Sequence, residues 1–210
     1  MTASDTKATG IAAAVLAAGA STRLGSPKQL LRCGDQSLLE LAISAATGAD
    51  CHPVVTVLGA HADEITQELG LDKHGIIVNR NWEYGISSSI VNAIQFAESQ
   101  DEPPNAIVFL VSDQPFVSSA LIEELVSLFQ TTGAPIVCCR YAGDLGVPAL
   151  FAREMWPQLK ALKGDRGARS VILENANRCV TVEFELGQYD VDTTSDLLTI
   201  SDLALAPADE

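Results

Sequence analysis

The sequence predicts an α/β fold: a doubly wound, three-layer α/β/α domain around a mostly parallel, Rossmann-like sheet. Short apolar runs rich in Val and Ile alternate with segments of helical period along nearly the whole chain. Such alternation folds as parallel strands with helices on both faces. The first run, IAAAVL at 11–16, is apolar throughout, as expected of a strand buried on both faces. In such sheets, ligands bind beyond the carboxyl ends of the strands, so the loops that follow the strands are where chemistry is expected.

The elements follow in order. Residues 1–10 read as disordered and 11–203 as one domain, with a disordered tail at 204–210. After strand 11–16 and its loop comes a helix from Ser37, a good N-cap, to Gly48, a good stop. A β-branched strand at 53–58 ends at Gly59, and a short helix at 62–69 is closed by Gly70. A third strand spans 75–79. A helix at 87–99 is opened by a serine cluster, and the proline-containing connector 100–105 leads to strand 106–111. Helix 119–131 ends at Gly133, and strand 135–140 follows. The run 146–151 reads as a strand, with Pro148 favouring an edge or a bulge because it cannot donate to a ladder. Helices at 154–163 and 168–175 flank the turn 164–167. Strand 179–184, a short strand at 190–192 and a capped helix at 195–203 complete the domain.

Composition narrows the function. The 210 residues are enough for one sizeable core. No apolar run reaches the about 20 residues of a membrane span. The first ten residues, MTASDTKATG, lack a signal-peptide pattern. The expectation is a cytoplasmic protein without a membrane partner. The net charge of −14 argues against nucleic acid. Five cysteines with no C-x-x-C spacing read as structural thiols rather than a disulfide framework or a zinc site. The three histidines have no partners at metal-ligand spacing.

The loop after the first strand is AAGASTRLGSPK at 17–28. Its small residues let backbone approach a ligand, and Gly19 and Gly25 are free to take positive φ. Successive N–H groups in such a turn form an anion-binding concavity. Arg23 and Lys28, with Arg32 nearby, add an island of positive charge to an acidic chain. The glycine spacing fits neither a Walker A loop nor a G-x-G-x-x-G fingerprint. The reading is a phosphate cradle, with a purely structural turn as the alternative.

Asp113 falls at the carboxyl edge of strand 106–111, where one carboxylate plus substrate phosphates can hold Mg²⁺; a turn or helix-capping aspartate is the bland alternative. Asp190 and Asp192 share a face by alternation and offer a second metal ligand, or are simply surface carboxylates. The polar loop 79–89 feeds a helix N-terminus and suits a base, ribose or phosphate, unless its serines only cap the helix. The turn GDRGAR at 164–169 carries Arg166 and Arg169 beside another helix start. It suits a second anionic group, or is an exposed basic turn.

In combination these stretches resemble the MobA-like NTP transferases, and most closely their molybdenum cofactor cytidylyltransferase (MocA-type) branch. The family pattern L-A-[AG]-G-x-S-x-R-x-G-x-x-K stands here as Leu16, Ala17, Ala18, Gly19, Ala20, Ser21, Arg23, Gly25 and Lys28 with their intervening residues. The segment from Asn81 through Gly85 to Ser88 and Ser89 resembles N-x-x-x-G-[LM]-x-x-S. Asp113-Gln114-Pro115 matches a D-x-P metal motif, 164–169 resembles a G-D-x-G-A-R turn near a pterin substrate, and 190–193 resembles a late D-[IV]-D-T segment.

The resemblance implies a nucleotide-diphospho-sugar transferase-like fold. It also implies a Mg²⁺-dependent transfer of CMP from CTP to molybdopterin phosphate, with pyrophosphate released and a molybdenum hydroxylase as recipient of the product. Arg23, Lys28 and Asp113 would be catalytic, with Asp113 and Asp192 on the metal. Residues 16–21, Arg23, Gly25, Lys28, Asn81, Gly85, Ser88 and Ser89 would bind nucleotide. Gly146, Pro148, Arg166 and Arg169 would bind the acceptor. Guanylyl members tend to carry L-A-G-G where this chain has Ala18, which selects CTP over GTP. Val147 stands where the family often has a polar residue, which keeps another phosphate acceptor, such as a sugar phosphate, as an alternative. GTP as donor and a non-catalytic cofactor-delivery protein are the remaining ones.

Overall fold

The computed structural model describes residues 10–22, 24–71 and 75–205, with the backbone alone at 194 and 201–205. The chain runs β1 (Ile11–Ala17), a small hairpin of β2 (Arg32–Cys33) and β3 (Gln36–Ser37), α1 (Leu38–Gly48), β4 (Val54–Leu58), α2 (Ala62–Glu68) and β5 (Ile76–Val78). It continues with α3 (Ile86–Glu98), β6 (Ala106–Val111), α4 (Ser119–Thr132), β7 (Ile136–Tyr141), β8 (Asp144–Ala152) and α5 (Trp156–Lys160). The last elements are α6 (Ala168–Glu174), β9 (Cys179–Glu183) and α7 (Thr194–Leu205).

Seven strands form one sheet in the order β5-β4-β1-β6-β8-β7-β9. All neighbours are parallel except β8, which is antiparallel to both β6 and β7. The chain reverses direction across β1, which pairs with β4 on one side and β6 on the other. This is the crevice position for ligands in an open α/β sheet. Every residue of β1 is buried, and its side chains alternate between two cores. Ala13, Val15 and Ala17 join the face under α1 and α4, and Ala12, Ala14 and Leu16 the face under α3, α5 and α6. Alanine at these positions lets helices approach both faces closely.

Local signals placed the caps well. Ser37 accepts from the Glu40 backbone, and the Glu40 carboxylate accepts from the Ser37 N–H, a complete capping box. Gly133 closes α4 at φ 64. Four expectations need correction. The strand containing Pro148 is longer, Asp144–Ala152, and lies inside the sheet. It accommodates proline through an irregularity: Cys138 pairs with Ala149 but Cys139 with Gly146, leaving Val147 and Pro148 out of register. Residues 190–192 form no ladder strand; the Val191 N–H donates to the Asp113 carbonyl (2.9 Å). The expected helix over 154–163 is a 3-10 turn at Arg153–Met155 followed by the shorter α5, with Pro157 in its first turn. The final helix runs to Leu205, so 204 and 205 are helical, while residues 1–9 and 206–210 lie outside the described residues. Among the described residues no helix is long and apolar enough to cross a membrane.

Candidate active site

The loops after β1, β5 and β6 meet at the carboxyl edge of the sheet around a cleft of about 380 Å³, within the range of small-molecule sites. Residues 16–20 form one wall and the segment from Trp82 to Ser89 another. Lys28, Asp113 and Asp165 project from the floor and rim. A smaller adjoining recess of about 240 Å³ shares Gly19 and Lys28 and adds Ser21 and Asp192.

The β1 loop is fixed from within by a residue the sequence did not single out. Gln29 is almost fully buried. Its amide Nε2 donates to the carbonyls of Ala17 (2.8 Å) and Gly19 (3.1 Å). Those carbonyls are satisfied inside the protein, so the loop can present N–H groups to a ligand. Ser21, at φ 52, closes the loop by accepting from the Lys28 N–H (2.9 Å). Gly25 takes φ 70, where a side chain would be strained. Ala18 is buried, its methyl against Gly59: a Cβ on Gly59 would meet the Ala18 carbonyl at 2.6 Å and the Trp82 Cβ at 2.6 Å.

Lys28 is the focus of the site. Its ammonium lies 2.5 Å from Asp113 Oδ2 and 3.4 Å from Asp192 Oδ1. Burial by itself would lower its pKa, but the two carboxylates outweigh burial and hold it above the ordinary lysine value. Two ties bring the late acidic segment here. One is the Val191–Asp113 backbone bond. The other is Gln114, buried, whose Nε2 donates to the Gly187 carbonyl (2.9 Å). Gln114 Oε1 is buried and has no partner among the described residues. Desolvation and the negative charges of Asp113 and Asp192 push the Asp190 carboxyl up to about 6. Asp190 keeps much of its surface in water, so the charge contribution is the firmer cause.

Asp113 and Asp192 therefore converge on one cation. Their hard oxygens beside a phosphate-sized cleft fit Mg²⁺, which binds through one or two carboxylates plus substrate phosphates and water. Among the described residues there is no group of three or more His, Cys, Asp or Glu that could hold a metal ion; a Mg²⁺ ion on these two carboxylates would take its other ligands from phosphate and water.

Other expected site residues are placed differently. Arg23 lies outside the described residues. Arg32 is turned onto its own hairpin, donating to the Asp35 carbonyl. Gly85 and Ser89 line the cleft. Asn81 and Ser88 line a separate groove along α3. The Ser88 hydroxyl donates to the carbonyls of Asn81 (3.0 Å) and Gly85 (2.8 Å) and accepts from Asn79 Nδ2 (2.8 Å). No serine side chain caps α3; Gly85 occupies that position at φ 88. Arg166 pairs with Glu174, and Arg169 with Asp144 (2.9 Å) and the Leu145 carbonyl (3.0 Å). Neither arginine lines the cleft; their turn contributes Asp165 instead. Pro148 is buried in β8, and Gly146 is covered by the Tyr141 hydroxyl, which a Cβ there would strike. Lone glutamines carry no motif, so Gln29 and Gln114 were visible only as neighbours of Lys28 and Asp113.

Known proteins share this arrangement of chain. The MobA-like NTP transferase domain matches residues 13–179. Nicotine blue oxidoreductase of Paenarthrobacter nicotinovorans is 30% identical over 177 residues, 79% of this chain and 82% of that protein. The structure of Rv0371c from Mycobacterium tuberculosis H37Rv superposes with a TM-score of 0.80 at 29% identity, covering 92% of this chain and 99% of that one. A second structure of Rv0371c is a complex with manganese (TM-score 0.74, 27% identity, 92% and 99% covered). A nucleotidyl transferase from Methanothermobacter shares the fold at 22% identity (TM-score 0.77, 94% and 98% covered).

Proposed function

The chain belongs to the MobA-like NTP transferase family and is a nucleotidyltransferase, and from that premise we propose that it is a Mg²⁺-dependent cytidylyltransferase moving CMP from CTP to the terminal phosphate of molybdopterin. One observation carries the reading: the Lys28 ammonium held between Asp113 and Asp192 at the floor of a cleft walled by small residues. Phosphate chemistry needs positioning and charge neutralisation rather than a protein nucleophile.

An oxygen of the acceptor phosphate bonds to the α-phosphorus of the nucleotide. The bond from that phosphorus to the α–β bridging oxygen breaks, and pyrophosphate leaves with the electron pair. Lys28 exchanges its carboxylate partners for phosphate oxygens. Asp113 and Asp192 would hold Mg²⁺, which would supply Lewis-acid neutralisation when bound. Gln29 keeps the loop N–H groups facing the nucleotide. Ala18 acts on the base through Trp82, since both pack on Gly59 and both line the cleft; the added methyl favours the smaller pyrimidine. Val147, apolar in the bulge of β8, favours a second acceptor class, a sugar or alditol phosphate.

The test is pyrophosphate release with CTP, GTP and ATP against molybdopterin and against sugar phosphates. Release with CTP and molybdopterin supports the reading. Release with GTP alone removes the CTP assignment, and release with sugar phosphates alone removes the acceptor.

A further inference from the structure

We propose that Asp165 is a specificity-determining residue that reads the nucleotide base. Its carboxylate accepts a hydrogen bond from an exocyclic amino group, so the cleft takes cytosine and rejects uracil. The proposal rests on the preceding reading that a pyrimidine triphosphate occupies the cleft.

Asp165 is placed by backbone, not by chance of rotamer alone. The Gly164 carbonyl accepts from the Ser87 N–H (3.2 Å), docking the turn on the start of α3. Gly85, at φ 88, permits this approach: a Cβ there would strike the Gly164 carbonyl and Asp165 Oδ1. The neighbouring Arg166 and Arg169 are engaged with Glu174 and Asp144 on the outside. Asp165 faces the cleft and has no hydrogen-bond or ion-pair partner among the described residues.

The charge pattern then orients the ligand. Among the described residues Lys28 is the one cationic side chain lining the cleft. Triphosphate belongs at Lys28, and an unpaired carboxylate repels it, so the base end lies toward Asp165 and Trp82. A carboxylate can only accept. The cytosine 4-amino group donates to it, as carboxylates take that group elsewhere. The uracil 4-carbonyl would set acceptor against acceptor. Asp165 thus separates CTP from UTP, and the exclusion of purines falls to Ala18.

The experiment is equilibrium binding of CTP, UTP and GTP with Mg²⁺ to the full chain and to Asp165→Asn and Asp165→Ala, with thermal melting of each. The wild type is expected to prefer CTP over UTP by about tenfold or more. In Asp165→Asn the amide can present either its NH₂ or its carbonyl, and the ratio should fall to within about threefold, with the melting temperature preserved. A CTP/UTP ratio unchanged in both variants overturns the proposal, whether or not they melt lower, since a purely structural turn would behave that way. No discrimination in the wild type overturns it too. Tighter GTP than CTP in the wild type overturns the CTP reading and this proposal with it. CTP over GTP with an Asp165-independent ratio overturns this proposal alone.

Discussion

Two loops of this protein look alike in sequence and act in opposite senses. Residues 17–28 and 164–169 each set basic residues among glycines, and each reads as an anion cradle. In the first, Lys28 turns inward because Asp113 and Asp192, distant in sequence, wait at the carboxyl edge of the sheet. In the second, Arg166 and Arg169 find Glu174 and Asp144 on the outer surface, and the carboxylate of Asp165 is what enters the cleft. A basic glycine-rich loop is therefore not a phosphate site by composition. The positions of the partner carboxylates decide which way its charge faces.

The sharpest way to break this contrast is to remove the inward charges. Lys28→Met or Asp113→Asn should lower the rate of pyrophosphate release by about 10²- to 10³-fold, with far-UV circular dichroism unchanged. A rate within a few-fold of wild type would remove the first loop from the chemistry. Gln29→Ala should come next. It leaves the buried Ala17 carbonyl and the part-buried Gly19 carbonyl without this donor, a cost of about 1–3 kcal/mol in stability by denaturant unfolding, and weakens nucleotide binding in parallel. Loss of stability with unchanged affinity would mean that the loop is held by other means.

Asp190→Asn tests the acidic field around Lys28. The folded carboxyl titrates near 6, above its ordinary value of 3.8, so between these values the folded chain binds more protons than the unfolded one. Wild-type stability from this group is full at the acid end and is lost as pH rises toward 6. The variant should therefore melt above wild type at pH 7.5 and close to it at pH 4. The smallest effect belongs to the outward arginines. Arg166→Ala and Arg169→Ala remove pairs whose arginine side chains are 59% and 53% exposed, and such pairs contribute about 0–1 kcal/mol. Turnover should stay within about threefold of wild type on that ground; a loss comparable to Lys28→Met would return this turn to the acceptor site.

The site was legible in proportion to how local its signals are. Lys28, Gly25 and Ser21 announce themselves within one loop, and the strand before Asp113 places that carboxylate on the right edge. Gln29 and Gln114 are ordinary letters until their donors are seen to hold backbone from elsewhere: Gln114 reaches Gly187 across 73 positions. Pro148 signalled a bulge correctly but an edge wrongly. Its effect on its own strand is local, whereas the insertion of β8 between β6 and β7 is a matter of long-range pairing.

By itself the sequence determined the alternation of strands and helices, the apolar β1 that both cores share, the caps at Ser37 and Gly133, and the family. All of these rest on periodicity, turn chemistry and motif, which act over a few residues. Tertiary structure alone decided that Asp192 meets Asp113 on the Lys28 ammonium, that Ser88 bonds its own loop, and that Asp165 faces inward while two arginines face out. Those outcomes depend on which charges and carbonyls the fold brings within a few ångströms, and no local pattern encodes that distance.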